Sequence, residues 1–290
     1  MATNRNRFEW AKQRKRLEDA AARAADILAC SGCLDRPVDP LRIAETEHRQ
    51  LCVQSGDYRN RFDGQLEYHP KKGRFILFFN TKYDLTPGVH APRTRFSIAH
   101  ELGHFFLDHH HQYLRRGHPS HPSKSDFLSD RMVEREADTF AAHLLMPEAL
   151  FRTEVNQGEL TLGRIGDLAR RYETSFSSTA IRAVTCSDWP CAVSGLRDGA
   201  VAWMFCSQPL VDAGFYPRGR QALPTATVKR AYESATGPTD PVPAWAADWF
   251  NTFDSSVRGV TVMEQLQPVR LLGTVVALLT ISEDDLPEPR

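Results

Sequence analysis

The sequence "SIAHELGHFFLDHH" runs from Ser97 to His110 and places two histidines, His100 and His104, four positions apart. Residues four apart lie on one face of an α-helix, about 6 Å from each other, so both imidazoles can bind a single ion. Glu101 is rotated by about 100° from His100, which places its carboxylate beside such an ion rather than on it. This H-E-x-x-H spacing is typical of two zinc ligands accompanied by a general base.

A third ligand is expected in "VEREADTFAAHLLMP", which runs from Val133 to Pro147. Apolar residues recur there at helical spacing and form a stripe of Ala137, Phe140, Ala141, Leu144 and Leu145. Glu134 lies within this stripe, and a carboxylate that faces a core needs a positive partner. We therefore predict that His100, His104 and Glu134 bind a metal with water in the fourth position. That pattern is typical of a catalytic zinc site rather than a structural one.

The other ionisable residues near these helices receive different predictions. Asp138, at the edge of the stripe, is expected to accept an N–H from a ligating histidine and so to orient its ring. Glu136 and Arg135 are predicted to point into solvent, and Asp130 or Glu136 is the next candidate if Glu134 is not the third ligand. A solvated or disordered loop, rather than a second metal site, is predicted for His109, His110, His111, His118 and His121.

Composition narrows the class of protein. The 290 residues include 36 Lys and Arg and 36 Asp and Glu, so the net charge is zero, whereas a large nucleic-acid footprint usually brings a basic excess. No apolar run reaches the roughly 20 residues that span a bilayer, and the N-terminal stretch lacks the apolar core of a secretion signal. A cytoplasmic protein without direct DNA binding is therefore expected. Six cysteines at irregular spacings favour ordinary thiols over a metal or redox motif.

Changes in sequence pattern divide the chain into four predicted regions, and the predicted class is α+β. Residues 1–60 predict a long charged helix, a short helix and irregular chain. Residues 61–150 contain the histidine-rich helices and a β-hairpin, in which FDGQLEY and RFILFFN flank a turn with Pro and Gly. Residues 151–188 predict two short helices that resemble a helix-turn-helix. Residues 189–290 alternate strand-like and helical runs, which predicts a small α/β domain.

Several of these stretches resemble the ImmA/IrrE family of metallo-endopeptidases. The matching sequences are FDG, RFILFFN, RTRFSIAHELGHFFL and EREADTFAAHLLMP, followed by LARRYETSFSSTAIR. The combination is specific and covers roughly residues 60–185. The resemblance implies a minimal zincin-like core, in which helices pack on a small antiparallel sheet. It also implies that the RFILFFN strand borders the cleft and pairs with an extended substrate.

The resemblance further implies a zinc-dependent endopeptidase in which Glu101 is the general base, although the ligand types also suit manganese or iron. Family members cleave transcriptional repressors, so the implied partner is a protein substrate of the helix-turn-helix repressor class. In some members the last domain is a GAF-like sensor, and the pattern of residues 189–290 permits one.

Two other functions fit the sequence. A DNA-binding or sensory regulator would use the metal only structurally, but the candidate second helix SFSSTAIRAV has a single arginine, and DNA readers usually carry more. An interaction partner in a toxin–antitoxin system or a mobile element is the other possibility.

Candidate oxyanion donors are Tyr113, Arg95 and the run His109–His111, and the sequence favours none of them. The oligomeric state is not indicated.

Overall fold

The computed structural model describes residues 4–33, 36–118, 132–218, 221–234, 236–252, 257, 259–269 and 273–286. The chain forms two compact units. Unit 1 contains residues 1–147 and 171–174, and unit 2 contains residues 148–170 and 175–290. Helices and sheets occur in both, which confirms the predicted α+β class with a zincin-like core and an additional domain. The four predicted region boundaries stay a prediction.

In the described part of unit 1 there are five α-helices: α1 (Asn4–Ser31), α2 (Pro40–Thr46), α3 (Pro92–Phe106), α4 (Asp108–Arg115) and α5 (Met132–Leu145). Helix α2 begins where the Asp39 side chain accepts a hydrogen bond from the backbone N–H of Leu41 and Pro40 fills the first turn. Helix α3 also begins with a proline, Pro92. It ends because Leu107 is extended (φ −79°, ψ 114°), so the chain changes direction before α4.

A three-stranded sheet accompanies these helices and consists of β1 (Leu51–Gly56), β2 (Gly64–His69) and β3 (Arg74–Asn80). Strands β2 and β3 form the predicted hairpin, whose turn ends at Gly73 with φ 62°, a conformation that favours glycine. Strand β1 lies in the region predicted to be irregular and pairs in parallel with β3. The sheet is therefore mixed rather than purely antiparallel.

The strand order β1-β3-β2 corrects the prediction about the cleft. The RFILFFN strand, β3, is central, so its backbone hydrogen-bonding groups are directed to β1 on one side and β2 on the other. A central strand cannot accept a further peptide. The strand that lies at the sheet edge beside the histidines is β2, because Gly64 approaches the side chain of Glu101.

The core of unit 1 lies between the sheet and α3, and between α3 and α5. Buried side chains come from β3 (Phe75, Leu77, Phe79), from α3 (Ile98, Leu102, Phe105) and from α5 (Phe140, Leu144). Helix α1 packs along α5. Helices α3 and α5 approach closely at Gly103, where an added Cβ would lie 3.1 Å from the Cα of Ala137. This approach brings the two helices that carry the predicted ligands together.

Unit 2 begins with α6 (Glu148–Val155), a helix that the sequence analysis did not predict. Helices α7 (Leu162–Tyr172), whose last two residues belong to unit 1, and α8 (Phe176–Cys186) coincide with the two predicted helices. Helix α8 packs against α6 and against the first two strands of the following sheet. The remaining elements are β4 (Cys191–Arg197), β5 (Ala200–Cys206), α9 (Gln208–Asp212), β6 (Phe215–Pro217), β7 (Gln221–Ala222), α10 (Ala226–Ser234), β8 (Val242–Trp245), α11 (Ala246–Trp249), β9 (Phe250–Thr252), β10 (Thr261–Val269) and β11 (Thr274–Thr280).

The main sheet of unit 2 has six strands in the order β7-β5-β4-β11-β10-β8, and every neighbouring pair is antiparallel. Strands β4, β5, β10 and β11 coincide with the apolar runs predicted to be strands. A second, two-stranded sheet joins β6 and β9. The GAF-like assignment of this unit stays a prediction. Among the described helices, none is both long and apolar enough to cross a bilayer.

Candidate metal centre

The two histidines of the H-E-x-x-H motif converge inside unit 1. His100 and His104 lie one turn apart on α3, and both are buried. Their Nε2 atoms are 3.2 Å apart. The i, i+4 spacing on one helix face therefore directs the two ring nitrogens toward the same point, as the sequence predicted.

Glu134, in the first turn of α5, completes a group of three. Its Oε2 lies 3.3 Å from Nε2 of His100, and its Oε1 lies 3.9 Å from Nε2 of His104. One ligand atom from each of the three residues falls within 4.8 Å of the others. The structure thus brings together the predicted set of His100, His104 and Glu134. Their role as metal ligands stays a prediction.

The donor set fits a metal of the zinc type. Zinc binds imidazole nitrogen and carboxylate oxygen at about 2.1 Å in a tetrahedron, so its ligand atoms lie about 3.4 Å apart. The separations of 3.2 and 3.3 Å at His100 agree with that value. Two imidazoles and a carboxylate leave a fourth position for water or substrate. The same donors also suit manganese and iron.

Asp138 lies where the sequence predicted an orienting carboxylate. Its Oδ1 is 2.9 Å from Nδ1 of His100. A proton on Nδ1 that is donated to Asp138 leaves the Nε2 lone pair directed at the other ligand atoms. Burial opposes the charged form of His100, but its hydrogen bonds to Asp138 and Glu134 raise its pKa well above the usual value. A metal ion bound by His100 would therefore have to compete with a proton for this imidazole.

Glu101 is fully buried and lies beside the two histidines, with Gly64 of β2 close against it. A Cβ at position 64 would lie 2.8 Å from both Cγ and Oε1 of Glu101. A glycine at the start of β2 is therefore what leaves room for this carboxylate next to the sheet edge. The preceding residue, Asp63, ties the strand to α3, because its Oδ2 accepts from Nη2 of Arg93 at 2.6 Å.

The prediction of solvent exposure was wrong for His110 and Glu136. Both are buried, at 4% and 1% exposure. Glu136 Oε1 accepts from Nε of Arg16 at 2.6 Å, and its Oε2 lies 3.1 Å from Nε2 of both His109 and His110. Burial raises the pKa of Glu136, but hydrogen bonds from His110, Arg16 and His109 outweigh that effect and lower its pKa to about 2. Arg16 lies on α1, so no local pattern around Glu136 could have indicated this partner.

His110 also contacts the first histidine group. Its Nδ1 lies 3.0 Å from Nδ1 of His104. Burial lowers the pKa of His110 below its usual value, which favours the uncharged imidazole. His109 is mostly exposed, and Nδ1 of His111 contacts the backbone carbonyl of Phe105. Within the histidine run, His110 therefore contacts a predicted ligand, whereas His109 contacts Glu136 and lines the cavity beside His104, and His111 contacts the backbone of α3.

Other candidate residues have different surroundings. Arg95 is buried, donates to the carbonyl of Val38 at 2.6 Å and pairs with Glu173, so its guanidinium is engaged away from the predicted ligands. Tyr113 is 41% exposed and lines a cavity next to the motif. Asp130 and His121 lie outside the described residues.

The cavity has a volume of about 270 Å³ and opens beside Glu101 and His104. Its remaining wall is largely apolar and includes Leu66 of β2, Tyr113 and Leu114 of α4, and Val133 of α5. The buried carboxylate of Glu101, the predicted ligand His104 and an apolar wall therefore meet in one place. That arrangement suits an extended polar backbone with an apolar side chain.

Comparisons with known proteins agree with the resemblance seen in the sequence. Residues 85–184 match the family model Peptidase_M78, the IrrE N-terminal-like domain, which confirms that resemblance and indicates a metallopeptidase-type function. No curated protein sequence matches the chain. Among solved structures, a Mycobacterium tuberculosis transcriptional regulator is similar with a TM-score of 0.57 and 16% identity, over 91% of this chain and 76% of the other. At that identity the likeness shows the fold alone.

Proposed function

We propose that this chain, which carries an IrrE N-terminal-like domain at residues 85–184, is a zinc-dependent endopeptidase. The observation that carries the proposal is the convergence of His100, His104 and Glu134 next to the buried carboxylate of Glu101. A structural zinc site has four protein ligands and no use for a base, whereas three ligands with an adjacent carboxylate are typical of zinc hydrolases.

In the proposed mechanism His100, His104 and Glu134 hold the ion, and Asp138 orients the ring of His100. When bound, zinc supplies a Lewis acid that polarises the scissile carbonyl and lowers the pKa of a water molecule toward about 7. Glu101 accepts a proton from the attacking water and later delivers it to the nitrogen of the leaving amine. The C–N bond breaks, a C–O bond forms, and the carboxylate of Glu101 is regenerated.

The sheet edge offers a position for the substrate. Strand β2 is the edge strand beside Glu101, so an extended peptide lying along it would continue the sheet and pass the predicted ligands. The cavity wall of Leu66, Tyr113, Leu114 and Val133 would contact a side chain of that peptide. The proposal therefore expects cleavage next to an apolar residue in an unfolded or extended segment.

The proposed substrate class is a transcriptional repressor of the helix-turn-helix type, and the proposed location is the cytoplasm. Support for both comes from the resemblance to the ImmA/IrrE family. The test is N-terminal peptide profiling of host lysate that has been incubated with zinc-loaded wild type or with Glu101→Gln. New termini confined to the wild-type sample, and located in a repressor, are expected.

The Glu101→Gln protein serves as the matched control because it keeps the proposed ligands and the fold and lacks only the base. Identical termini in both samples would contradict an endopeptidase that acts on a lysate protein without a further signal. A synthetic peptide that spans any identified cleavage site would then separate direct cleavage from activation of another protease.

A regulator that binds DNA is the second candidate, since the similar Mycobacterium tuberculosis structure is described as a transcriptional regulator. Here α8, the second helix of the helix-turn-helix-like segment, packs against α6, β4 and β5. Its one arginine, Arg182, is buried and contacts Glu148. A gel shift with random duplex at low salt separates the candidates, and retention of the duplex would favour the regulator.

A further inference from the structure

We propose that His110 and Glu136, with Arg16 of α1, are positioning residues that fix the ring of His104 for metal binding. This inference rests on the proposed function, because it assumes that Nε2 of His104 is a ligand atom. Its basis is a continuous series of contacts that starts at His104 and ends at α1.

The protons in this series have one consistent arrangement. His104 can present the Nε2 lone pair only if its proton is on Nδ1, and that atom lies 3.0 Å from Nδ1 of His110. His110 accepts there only if its own proton is on Nε2. Its Nε2 lies 3.1 Å from Oε2 of Glu136, which is a carboxylate and accepts. His104 therefore donates to His110, and His110 donates to Glu136.

Arg16 holds the end of the series in place. Its Nε donates to Oε1 of Glu136 at 2.6 Å, and its Nη2 donates to Oε2, so the guanidinium binds both carboxylate oxygens. A bidentate pair of this kind fixes the plane of the carboxylate. The side chains of His110 and Glu136 are each only 2% exposed, so water does not replace these contacts.

The same geometry argues against a second metal site at this cluster. His109, His110 and Glu136 have ligand atoms close enough to hold an ion. However, the guanidinium of Arg16 already binds both oxygens of Glu136, and Nη2 of Arg16 lies 3.4 Å from Nε2 of His109. A metal cation would have to displace a charge of the same sign, so the cluster acts through His104 instead.

The fold explains how His110 of the histidine run contacts His104. The extended Leu107 separates α3 from α4, and the change of direction returns His110 to the ring of His104 six positions earlier. Helix α5 then contributes a contact for each predicted histidine ligand: Asp138 contacts His100 directly, and Glu136 contacts His104 through the ring of His110.

The test compares zinc affinities of His110→Ala, His110→Asn and the control His109→Ala by chelator competition, with circular dichroism to confirm folding. His109 contacts the same carboxylate but is 54% exposed and makes none of the described contacts to His104. Loss of a partner that orients a ligand typically costs 10–100-fold in metal affinity, so we expect a loss of about that size for His110→Ala. We expect His109→Ala to stay within about twofold of wild type.

His110→Asn provides the rescue, because the asparagine oxygen can occupy the place of Nδ1 and accept from His104. We expect its zinc affinity to lie between those of wild type and His110→Ala. The visible absorption spectrum of the cobalt-substituted protein should shift in His110→Ala and not in His109→Ala, since it reports the ligand geometry.

Three results would overturn the inference. One is a His110→Ala protein that binds zinc as tightly as His109→Ala, and another is an asparagine variant no better than alanine. The third is a wild type that binds no zinc, which would overturn the proposed function as well. Neither of the first two affects the proposed function, because zinc affinity is measured without substrate.

Discussion

At the scale of single residues, the three proposed metal ligands are distinct from the proposed general base, Glu101. Two imidazoles and one carboxylate converge from α3 and α5, and a second carboxylate, Glu101, lies against Gly64. Separate substitutions can therefore test proton transfer and metal binding one at a time.

The Glu101→Gln variant is expected to bind zinc like wild type and to lose roughly 10²–10⁴-fold in turnover, because glutamine cannot accept the proton of water. Metal content by atomic emission and cleavage of a peptide substrate are measured on the same sample. Substantial turnover in the zinc-loaded variant would show that another residue is the base.

The Glu134→Ala variant is expected to lose zinc affinity by at least about tenfold, since only two of three protein ligands remain. Arg135→Ala, an exposed neighbour on α5, is the matched control and should bind as wild type does. Unchanged zinc content in Glu134→Ala would indicate that Asp130, rather than Glu134, is the third ligand. Glu136 is a poor replacement because Arg16 binds both of its oxygens.

A buried acid in unit 2 provides a test of pH dependence. Burial raises the pKa of Glu264, and hydrogen bonds from Trp249 and Thr225 only partly offset this effect. The folded state then binds more protons than the unfolded state between the two pKa values, so this group's contribution to stability falls as pH rises through that window. Urea unfolding of wild type and Glu264→Gln is followed by tryptophan fluorescence, and the stability of wild type relative to the variant should increase as pH falls through the raised pKa of Glu264 toward the ordinary value of 4.5. A difference that is constant with pH would refute the assignment.

Some residues of the site could be predicted from the sequence and others could not. The spacing of His100 and His104 sets their geometry on any helix, and the apolar stripe of α5 indicated that Glu134 faces the histidines. Glu136 lies two positions from Glu134, and helical periodicity placed it in solvent. Its actual partner is Arg16 of α1, which lies 120 positions earlier in the chain. Helical periodicity within α5 carries no information about a partner that distant.

At the scale of elements, the contact between α3 and α5 determines the site. Gly103 lies on α3 between His100 and His104 and faces Ala137 and Phe140 of α5. Any side chain there would separate the helix that carries the histidines from the helix that carries Glu134.

We expect Gly103→Ala to destabilise the protein by about 1–3 kcal/mol and to weaken zinc binding, since the added methyl group overpacks this contact. Gly166→Ala on α7 is the matched control. A Cβ there meets nothing within 4 Å, so removing a helical glycine should stabilise by about 0.5–1 kcal/mol. Chemical denaturation and chelator competition measure both effects. Equal behaviour of the two variants would contradict the proposed role of the close approach.

In the sheet of unit 1, sequence patterns predicted the hairpin but not the pairing of β1. The hairpin of β2 and β3 was predictable because its two apolar runs flank a proline–glycine turn. Strand β1 is short, ends in Gln-Ser-Gly, and pairs in parallel with a strand about 20 positions later. Its register and the central position of β3 depend on that distant pairing, which alternation along one strand cannot indicate.

At the scale of the whole molecule, bound zinc should stabilise the folded chain, because an ion that binds only the folded state shifts the unfolding equilibrium. At free zinc about 100 times the dissociation constant the expected gain is about 2.7 kcal/mol. Thermal unfolding with and without zinc measures the gain, and Glu134→Ala should abolish most of it. The same gain in that variant would indicate binding outside the proposed ligands.

Sequence patterns over the whole chain predicted its α+β class, and the four predicted region boundaries stay a prediction. A balanced charge and the absence of long apolar runs indicated a globular protein, and four apolar runs in the last hundred residues coincide with observed strands. The compact units of the structure place residues 148–170 with the C-terminal sheet and residues 171–174 with the first unit. Such a division follows from tertiary contacts and not from changes in composition.

The contact of Arg16 with Glu136 has a consequence for protein engineering. Grafting the H-E-x-x-H helix and its glutamate onto another scaffold would transfer the three proposed ligands without the support that α1 and α4 give them. A transplanted motif would then need a replacement for an arginine that lies more than eighty residues before it. A designer should therefore copy a set of four helices, and a shortened gene should begin ahead of codon 16.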